Sequence, residues 1–478
     1  MPLDLLKNLP PIQAVLEHSS VTPLVAEHGR ELVLSWIREA LQNARQSLLG
    51  FMAERSMAEQ PTRDELKSQP KIRTEWTDRL SEQVVDQART AGHRQLCRVI
   101  NATGVVLHTG LGRAPLSVAA RQSLVELGGH CNVEVDLETS ERRYRGHQLE
   151  TAFRTLAGCE DVLIVNNNAA ATLLTLQALC AGREVIISRG QLIEIGGSFR
   201  LPEIFSLSGA VLREVGTTNR THLGDYQQAL STNSAAVMRV HPSNYRIVGF
   251  SETPAIAELV SLAHERGVIA IDDIGSGALL DVTQFGLASE PTFQNSLAAG
   301  ADVVLGSGDK LLGGPQCGVI LGKREFVDRI RRHPLARAVR VGKLTLAALQ
   351  ATLDPYLRGT ATTEIPTLAM LSTQLPEIRR RGETILADMG VVPALELSLE
   401  EDVAAIGGGS LPGVELPTIV LRLRHRSLSA NELAQRLRLG TIRVVGRIKQ
   451  EAVLLDLRSV LPEDDSRLAL AVRLAAAT

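Results

Sequence analysis

The stretch ADVVLGSGDKLLGGPQCGVILG (301–322) decides how this chain folds. Its opening run, ADVVLG, reads as a buried strand. A small flexible loop, GSGD, follows and delivers Lys310, and a glycine-rich segment then leads into another strand. Working outward, the same strand pattern recurs upstream at DVLIVNN (161–167), EVIISRG (184–190), AVLREVG (210–216), AAVMRVHPSN (235–244) and GVIAIDDIGSG (267–277). Helical segments at 169–181, 223–231, 252–266 and 293–299 separate these runs. Strands alternating with helices predict an α/β fold with a mostly parallel central sheet covered on both faces.

The flanks read differently. Residues 11 to about 60 carry helical periodicity through Ile12, Val15, Leu16, Trp36, Ile37 and Leu41. Residues 56–75 are polar and interrupted by Pro61 and Pro70, as a linker would be, and the helical pattern returns from Trp76 to Arg94. Beyond about residue 366, LPTIVLRLR (416–424), TIRVVGRIKQ (441–450) and EAVLLDLRS (451–459) read as strands and NELAQRLRL (431–439) as a helix. The expected organisation is a helical N-terminal domain (1–75), a large domain (76–365) and a small α+β domain (366–478).

Composition removes several classes. The chain has 478 residues, 44% of them hydrophobic, which excludes a disordered chain, and its net charge of −2 makes no general case for nucleic-acid binding. Five scattered cysteines form no CxxC pair, so neither a thiolate zinc site nor a disulfide frame is expected, and no metal is. There is no basic segment followed by an apolar run at the N-terminus, and no apolar stretch near the roughly 18 residues that span a bilayer. A cytoplasmic location is expected. Of 51 basic residues only seven are lysines, so any chemistry needing a titratable amine must draw on that short set.

Ligands of open α/β sheets bind beyond the carboxyl ends of the strands. Four strand ends there carry chemistry. DVLIVNN runs into an Asn-capped helix start whose amides suit an anion. GVIAIDDIGSG ends in two carboxylates, Asp272 and Asp273. ADVVLGSGDK ends in Ser307, Asp309 and Lys310, and HPSN supplies His241 and Asn244. Lys310 could be a surface lysine in a turn, but no other lysine follows a strand in this way. A lysine, an acidic strand end and an anion-binding helix start together fit pyridoxal phosphate: a Schiff base, a partner for the pyridinium nitrogen and a phosphate cradle.

Six segments in order carry a resemblance: INATGVVLHTGLGRAPLS (100–117), NNNAAATLL (166–174), SRGQLIEIGGSFRLPEI (188–204), GTTNRTHLGDY (216–226), IDDIGSGALLD (271–281) and GSGDKLLGGPQCGVILG (306–322). Together they are similar to the bacterial selenocysteine synthases, the L-seryl-tRNA(Sec) selenium transferases. The resemblance implies a fold-type-I pyridoxal 5'-phosphate enzyme. It implies conversion of the serine on tRNA(Sec) to selenocysteine with selenophosphate, by β-elimination to dehydroalanyl-tRNA and selenium addition. It also implies a homodecamer and an N-terminal domain that grips tRNA.

By the same resemblance Lys310 is the Schiff-base lysine, Ser307 a phosphate contact, and Asn168, Ala169 and Ala170 the phosphate-cradling turn. The pyridinium partner is Asp273 or Asp272; Asp273 is preferred because it leaves small Gly275 two positions on. Asn244 is placed at the ring hydroxyl, and Arg189 or Gln191 over the ring, where many relatives have an aromatic residue. Arg113, Arg337 and Arg340 are implied selenophosphate ligands, suited by their guanidinium forks.

Arg337 and Arg340 belong to 323–343, which holds eight basic and two acidic residues and otherwise reads as a solvated helix face; three apart, they can share one face of a helix. Residues 1–75 hold nine basic and ten acidic residues, so charge alone does not mark them as tRNA-binding. Two rival classes stand beside this reading. One is a fold-type-I lyase, aldolase or desulfurase acting on a free amino acid or related small molecule, with Cys317 a poor desulfurase nucleophile. The other is a non-catalytic RNA-binding scaffold.

Overall fold

The computed structural model describes residues 8–54, 69–94, 96–196 and 199–477. Two compact units emerge, Met1–Arg98 and Val99–Thr478. In the first, Ile12–Leu16, Thr22–His28, Arg30–Glu54 and Gln69–Arg94 are helices. Their apolar stripes bury Val15, Val33, Ile37, Leu41, Leu80 and Val84 in one core. The expected boundary at 75/76 falls inside the helix Gln69–Arg94, and this unit ends at Arg98 instead. Pro70 lies in that helix's first turn, where its missing N–H costs no hydrogen bond. Of the stretch 56–75 expected as a linker, residues 56–68 lie outside the described residues.

The second unit is built on a seven-stranded sheet. In chain order its strands are β1 (Asp161–Val165), β2 (Glu184–Ser188), β3 (Val211–Val215), β4 (Ser234–Val240), β5 (Ile269–Gly275), β6 (Val303–Ser307) and β7 (Gly318–Gly322). Their spatial order is β1-β7-β6-β5-β4-β2-β3. The pairs β6–β5, β5–β4, β4–β2 and β2–β3 are parallel. β7 runs antiparallel to both neighbours, because only the ten-residue loop carrying Lys310 joins it to β6.

Alternate residues of each strand fill separate cores. Val237 and Val304 pack on one face, and Ala236, Met238, Val303 and Leu305 on the other. Burial on both faces explains why these strands read as continuous apolar runs.

The second sheet has five strands, ordered Arg447–Lys449, Ala452–Asp456, Glu415–His425, Leu395–Gly407 and Val105–Leu107. Helices Leu375–Met389 and Asp465–Ala476 help build its core, with Ile378, Ile385, Leu468 and Val472 against Leu421. Two features depart from expectation. Leu395–Gly407 is a long strand whose run of acidic residues hid its period. The small sheet also recruits Val105–Leu107, parallel to Leu395–Gly407, so it is not confined to residues after 366. Val99–Asn101 likewise pairs with Arg443–Val445.

Gly318 at the start of β7 shows how tightly the sheet end is packed. A Cβ there would sit 2.2 Å from the Asn167 carbonyl oxygen. Gly318→Ala should therefore force β7 off the helix start and lower stability by about 1–3 kcal/mol, read as a lower urea midpoint at unchanged m.

Candidate active site

Lys310 sits in the loop after β6 and is 5% exposed. It lines a cavity of about 210 Å³ with Arg113, Asn168, Ala169, His241, Asp273 and Ser307. All stand at or just beyond the carboxyl ends of parallel strands, apart from Arg113, which follows the turn Thr109–Leu111. Burial and the nearby Arg113 charge hold the Lys310 ammonium below the ordinary lysine range, with Asp273, Asp309 and Glu290 opposing. A lowered value favours the free amine, the form that attacks a carbonyl or takes a proton.

The two adjacent carboxylates separate cleanly. Successive side chains of a strand point to opposite faces. Asp273 turns into the cavity, where Oδ1 accepts from Asn168 Nδ2 at 2.8 Å and the Gly275 amide at 3.0 Å, and Oδ2 accepts from Thr172 Oγ1 at 3.0 Å. Asp272 turns away and is held by Arg239 on β4 through two bonds of 2.7 and 2.6 Å. Burial pushes the Asp273 carboxyl above its usual range, against the pull of its three donors and of Lys310. Gly275 and Gly277 carry φ values of +65° and +67°, and a Cβ at Gly277 would meet the Ser307 carbonyl oxygen at 2.0 Å. Only glycine lets β5 and β6 end this close together.

The helix Asn168–Cys180 starts at the cavity wall. Its cap is Asn167, whose side chain accepts from the Ala170 amide at 2.8 Å. That bond engages Ala170, expected in the phosphate turn, and leaves the Asn168 and Ala169 segment facing the cavity. First-turn amides have no intrahelical acceptor and suit an anion. Asn168 Oδ1 is also buried without a hydrogen-bond partner among the described residues. Helix start, the Ser307 hydroxyl, the Asp273 carboxylate and the Lys310 amine together form a donor set that fits a flat phosphorylated pyridinium. Among the described residues no group of side chains could hold a metal ion.

Several expected residues lie elsewhere. Asn244 donates to the Glu194 carbonyl at 2.8 Å and does not line the cavity. Arg189 pairs with Glu214 at 2.9 Å on the surface, and Gln191 Oε1 accepts from the Val240 amide at 3.0 Å, so neither covers the cavity; Ile193, Ile195 and His241 line it instead. Arg337 and Arg340 are exposed and do not share a helix face. The helix Leu335–Ala338 ends between them, and Arg340 bridges to Val165 in extended conformation. In the same basic segment Arg331 is largely buried against Asp161, and Lys323, still 40% exposed, pairs with Asp302. Arg113 does reach the cavity, with φ +62° and its guanidinium 2.9 Å from Asp309. The thiol of Cys317 is fully buried and its pKa is pushed far up by that burial, which removes it as a nucleophile.

Sequence reading missed Gly409. A Cβ there would lie 2.6 Å from Lys310 Nζ, so the turn after Leu395–Gly407 packs directly on the amine. The run IGGGS (406–410) was the available signal.

A doubly covered, mostly parallel sheet with a buried lysine and carboxylate at its strand ends defines an α/β enzyme of the kind that binds a phosphorylated cofactor. The comparisons make the family specific. Residues 99–461 match the family model described as L-seryl-tRNA selenium transferase, and residues 6–45 match that described as selenocysteine synthase N terminal. An L-seryl-tRNA(Sec) selenium transferase of Carboxydothermus hydrogenoformans is 41% identical over 463 residues, covering 96% of this chain and 95% of that protein. One of Alkaliphilus metalliredigens is 47% identical over 372 residues, covering 77% and 80%. The chain belongs to the L-seryl-tRNA selenium transferase family. Among solved structures, that of a D-glucosaminate-6-phosphate ammonia-lyase is 20% identical, with a TM-score of 0.54 over 81% of this chain and 97% of that one, which shows a shared fold.

Lys310→Ala should abolish the visible absorbance of bound cofactor and its fixation by borohydride. Asp273→Asn should cut turnover far more than Asp272→Asn, which instead unpairs Arg239 and lowers the unfolding midpoint; the reverse ranking would move the cavity role to Asp272. Because Arg113 helps depress the Lys310 pKa, capture of pyridoxal phosphate should rise with pH at a midpoint below that of an ordinary lysine. In Arg113→Met that midpoint should move upward.

Proposed function

We propose that this chain converts L-seryl-tRNA(Sec) to L-selenocysteinyl-tRNA(Sec), with selenophosphate as selenium donor and pyridoxal phosphate as cofactor, on a fold-type-I scaffold. The observation that carries this reading is the buried pair Lys310 and Asp273 in one cavity, in a chain whose relatives match it over nearly its whole length. The free amino-acid alternative has less support, because the N-terminal unit matches the selenocysteine synthase N-terminal model and a small-molecule lyase has no use for it.

The cofactor, when bound, supplies a sink for the electron pair left at Cα as a proton departs. Ser307 and the Asn168–Ala169 helix start would hold its phosphate. Asp273 would face its ring nitrogen and favour the protonated form, and the hydrogen bonds from Asn168, Thr172 and Gly275 orient that carboxylate. The Lys310 amine, its pKa lowered by burial and by Arg113, takes the proton from the seryl Cα. The serine hydroxyl leaves Cβ as water, taking up a proton and leaving a Cα–Cβ double bond; the selenium of selenophosphate then adds to Cβ as a proton returns to Cα, and water cleaves the Se–P bond to release phosphate. Arg113 carries charge into the cavity for the selenophosphate dianion. Arg337 and Arg340 lie outside this cavity in one chain, so their donor role depends on a neighbouring copy, consistent with the decamer proposed for the assembly. No helix among the described residues is long and apolar enough to cross a membrane, which accords with action in the cytoplasm.

The direct test is selenium incorporation into Ser-tRNA(Sec) with and without selenophosphate. Removing residues 1–98, the whole helical unit, should leave cofactor absorbance intact while affinity for tRNA(Sec) and tRNA-dependent turnover largely vanish. Unchanged tRNA affinity would overturn the assignment of that unit.

A further inference from the structure

A second cavity of about 490 Å³ adjoins the Lys310 cavity, and Val240 and His241 line both. Nothing in the chemistry above uses it. Its wall holds Glu290, 3% exposed, whose Oε1 has no hydrogen-bond partner among the described residues. Glu290 Oε2 lies 3.4 Å from His241 Nε2. A buried carboxylate oxygen without a donor is costly, and such groups are normally satisfied by water or a ligand. Across the same cavity Tyr245 presents a half-buried ring, anchored by a hydrogen bond from its hydroxyl to the Gly190 carbonyl. Arg246 is exposed and also lines it, as do Thr218 and Asn219 of the GTTNR motif.

A carboxylate seeking O–H or N–H donors, an aromatic face and an exposed guanidinium match the three parts of a nucleotide: ribose or exocyclic amine, base and phosphate. The volume lies within the range of sites that enclose small ligands. A serine esterified to the 3'-end of a tRNA also obliges the terminal ribose to lie one ester bond from the reacting carbon. We infer that this cavity holds the 3'-terminal adenosine of the aminoacyl-tRNA, with Glu290 accepting from it, Tyr245 stacking on the base and Arg246 meeting the preceding phosphate. The inference rests on the seryl-tRNA reading. It makes His241 the shared wall between the nucleoside and the reacting serine.

The test compares two seryl esters on the cofactor-loaded full chain, 3'-O-seryl-adenosine and serine methyl ester, with the change in cofactor absorbance as the binding signal. Wild type should prefer the adenosine ester by about tenfold or more, since a hydrogen bond to a charged group and a stacked base are each worth that much. Glu290→Gln should lose most of that preference, read as the ratio of the two esters' affinities within the variant so that any effect of the Glu290 charge on Lys310 cancels, and Tyr245→Leu should lose part of it. Equal binding of the two esters by wild type, or binding of neither, overturns the inference. So does an undiminished preference in both variants. If Glu290→Gln changes only the oligomeric state, the cavity is a subunit contact and not a nucleoside site. Selenium incorporation from Ser-tRNA(Sec) is scored separately; its absence would refute the seryl-tRNA reading itself, whatever the ester preference.

Discussion

The structure turns on keeping an amine and a carboxylate out of water in the same cavity. Lys310 and Asp273 are both buried, and desolvation shifts each towards its neutral form. A buried charge without partners is costly, so the surroundings must compensate. For Asp273 they do so with three hydrogen-bond donors, from the Asn168 and Thr172 side chains and the Gly275 amide. Lys310 has Asp273 and Asp309 nearby, set against Arg113. The cavity thus holds an amine that gives up its proton readily and a carboxylate whose geometry is set before any ligand arrives. Preorganisation of this kind lowers the reorganisation needed during reaction.

Much of the fold serves that arrangement. The parallel strands bring their carboxyl ends to one side, and the helix Asn168–Cys180 points its start at the same place. Close approach is possible only where side chains are missing. Gly277 lies against Ser307, Gly318 against Asn167 and Gly409 against Lys310 itself. The last of these ties the small sheet to the chemistry: its turn forms the wall on which the lysine rests. Arg113, in the left-handed region at φ +62°, reaches the cavity beside Asp309. Backbone strain at a non-glycine residue of this kind costs about 1–3 kcal/mol and persists only where its surroundings hold it.

On the proposed function, the two cavities meeting at His241 divide the reaction's needs between them. One holds the groups proposed to handle a proton and a phosphate. The other has room, an aromatic face and an unsatisfied carboxylate, and none of these is needed for the bond changes at serine. On the inference drawn above, a substrate that carries its amino acid on a large nucleic acid uses both, whereas a free amino acid uses only the first.

The sequence by itself determined the alternation of strands and helices, because burial on both faces demands unbroken apolar runs. It also singled out Lys310, as the lysine delivered by a small glycine-flanked loop at a strand end, and the Asp272–Asp273 pair. Gly275 two positions on favoured Asp273, but the tertiary structure decided which aspartate lines the cavity. Alternation places the two on opposite faces, but only packing against Arg239 on one side and Asn168 on the other says which face is which. It also turned Asn244 towards Glu194, ended a helix between Arg337 and Arg340, and extended the N-terminal unit to Arg98. The contact of Gly409 with Lys310, and the pairing of Val105–Leu107 with Leu395–Gly407, join residues far apart in the chain. Local pattern carries period and propensity. It carries no record of which distant segment will close over a given side chain, because that follows from how whole layers pack.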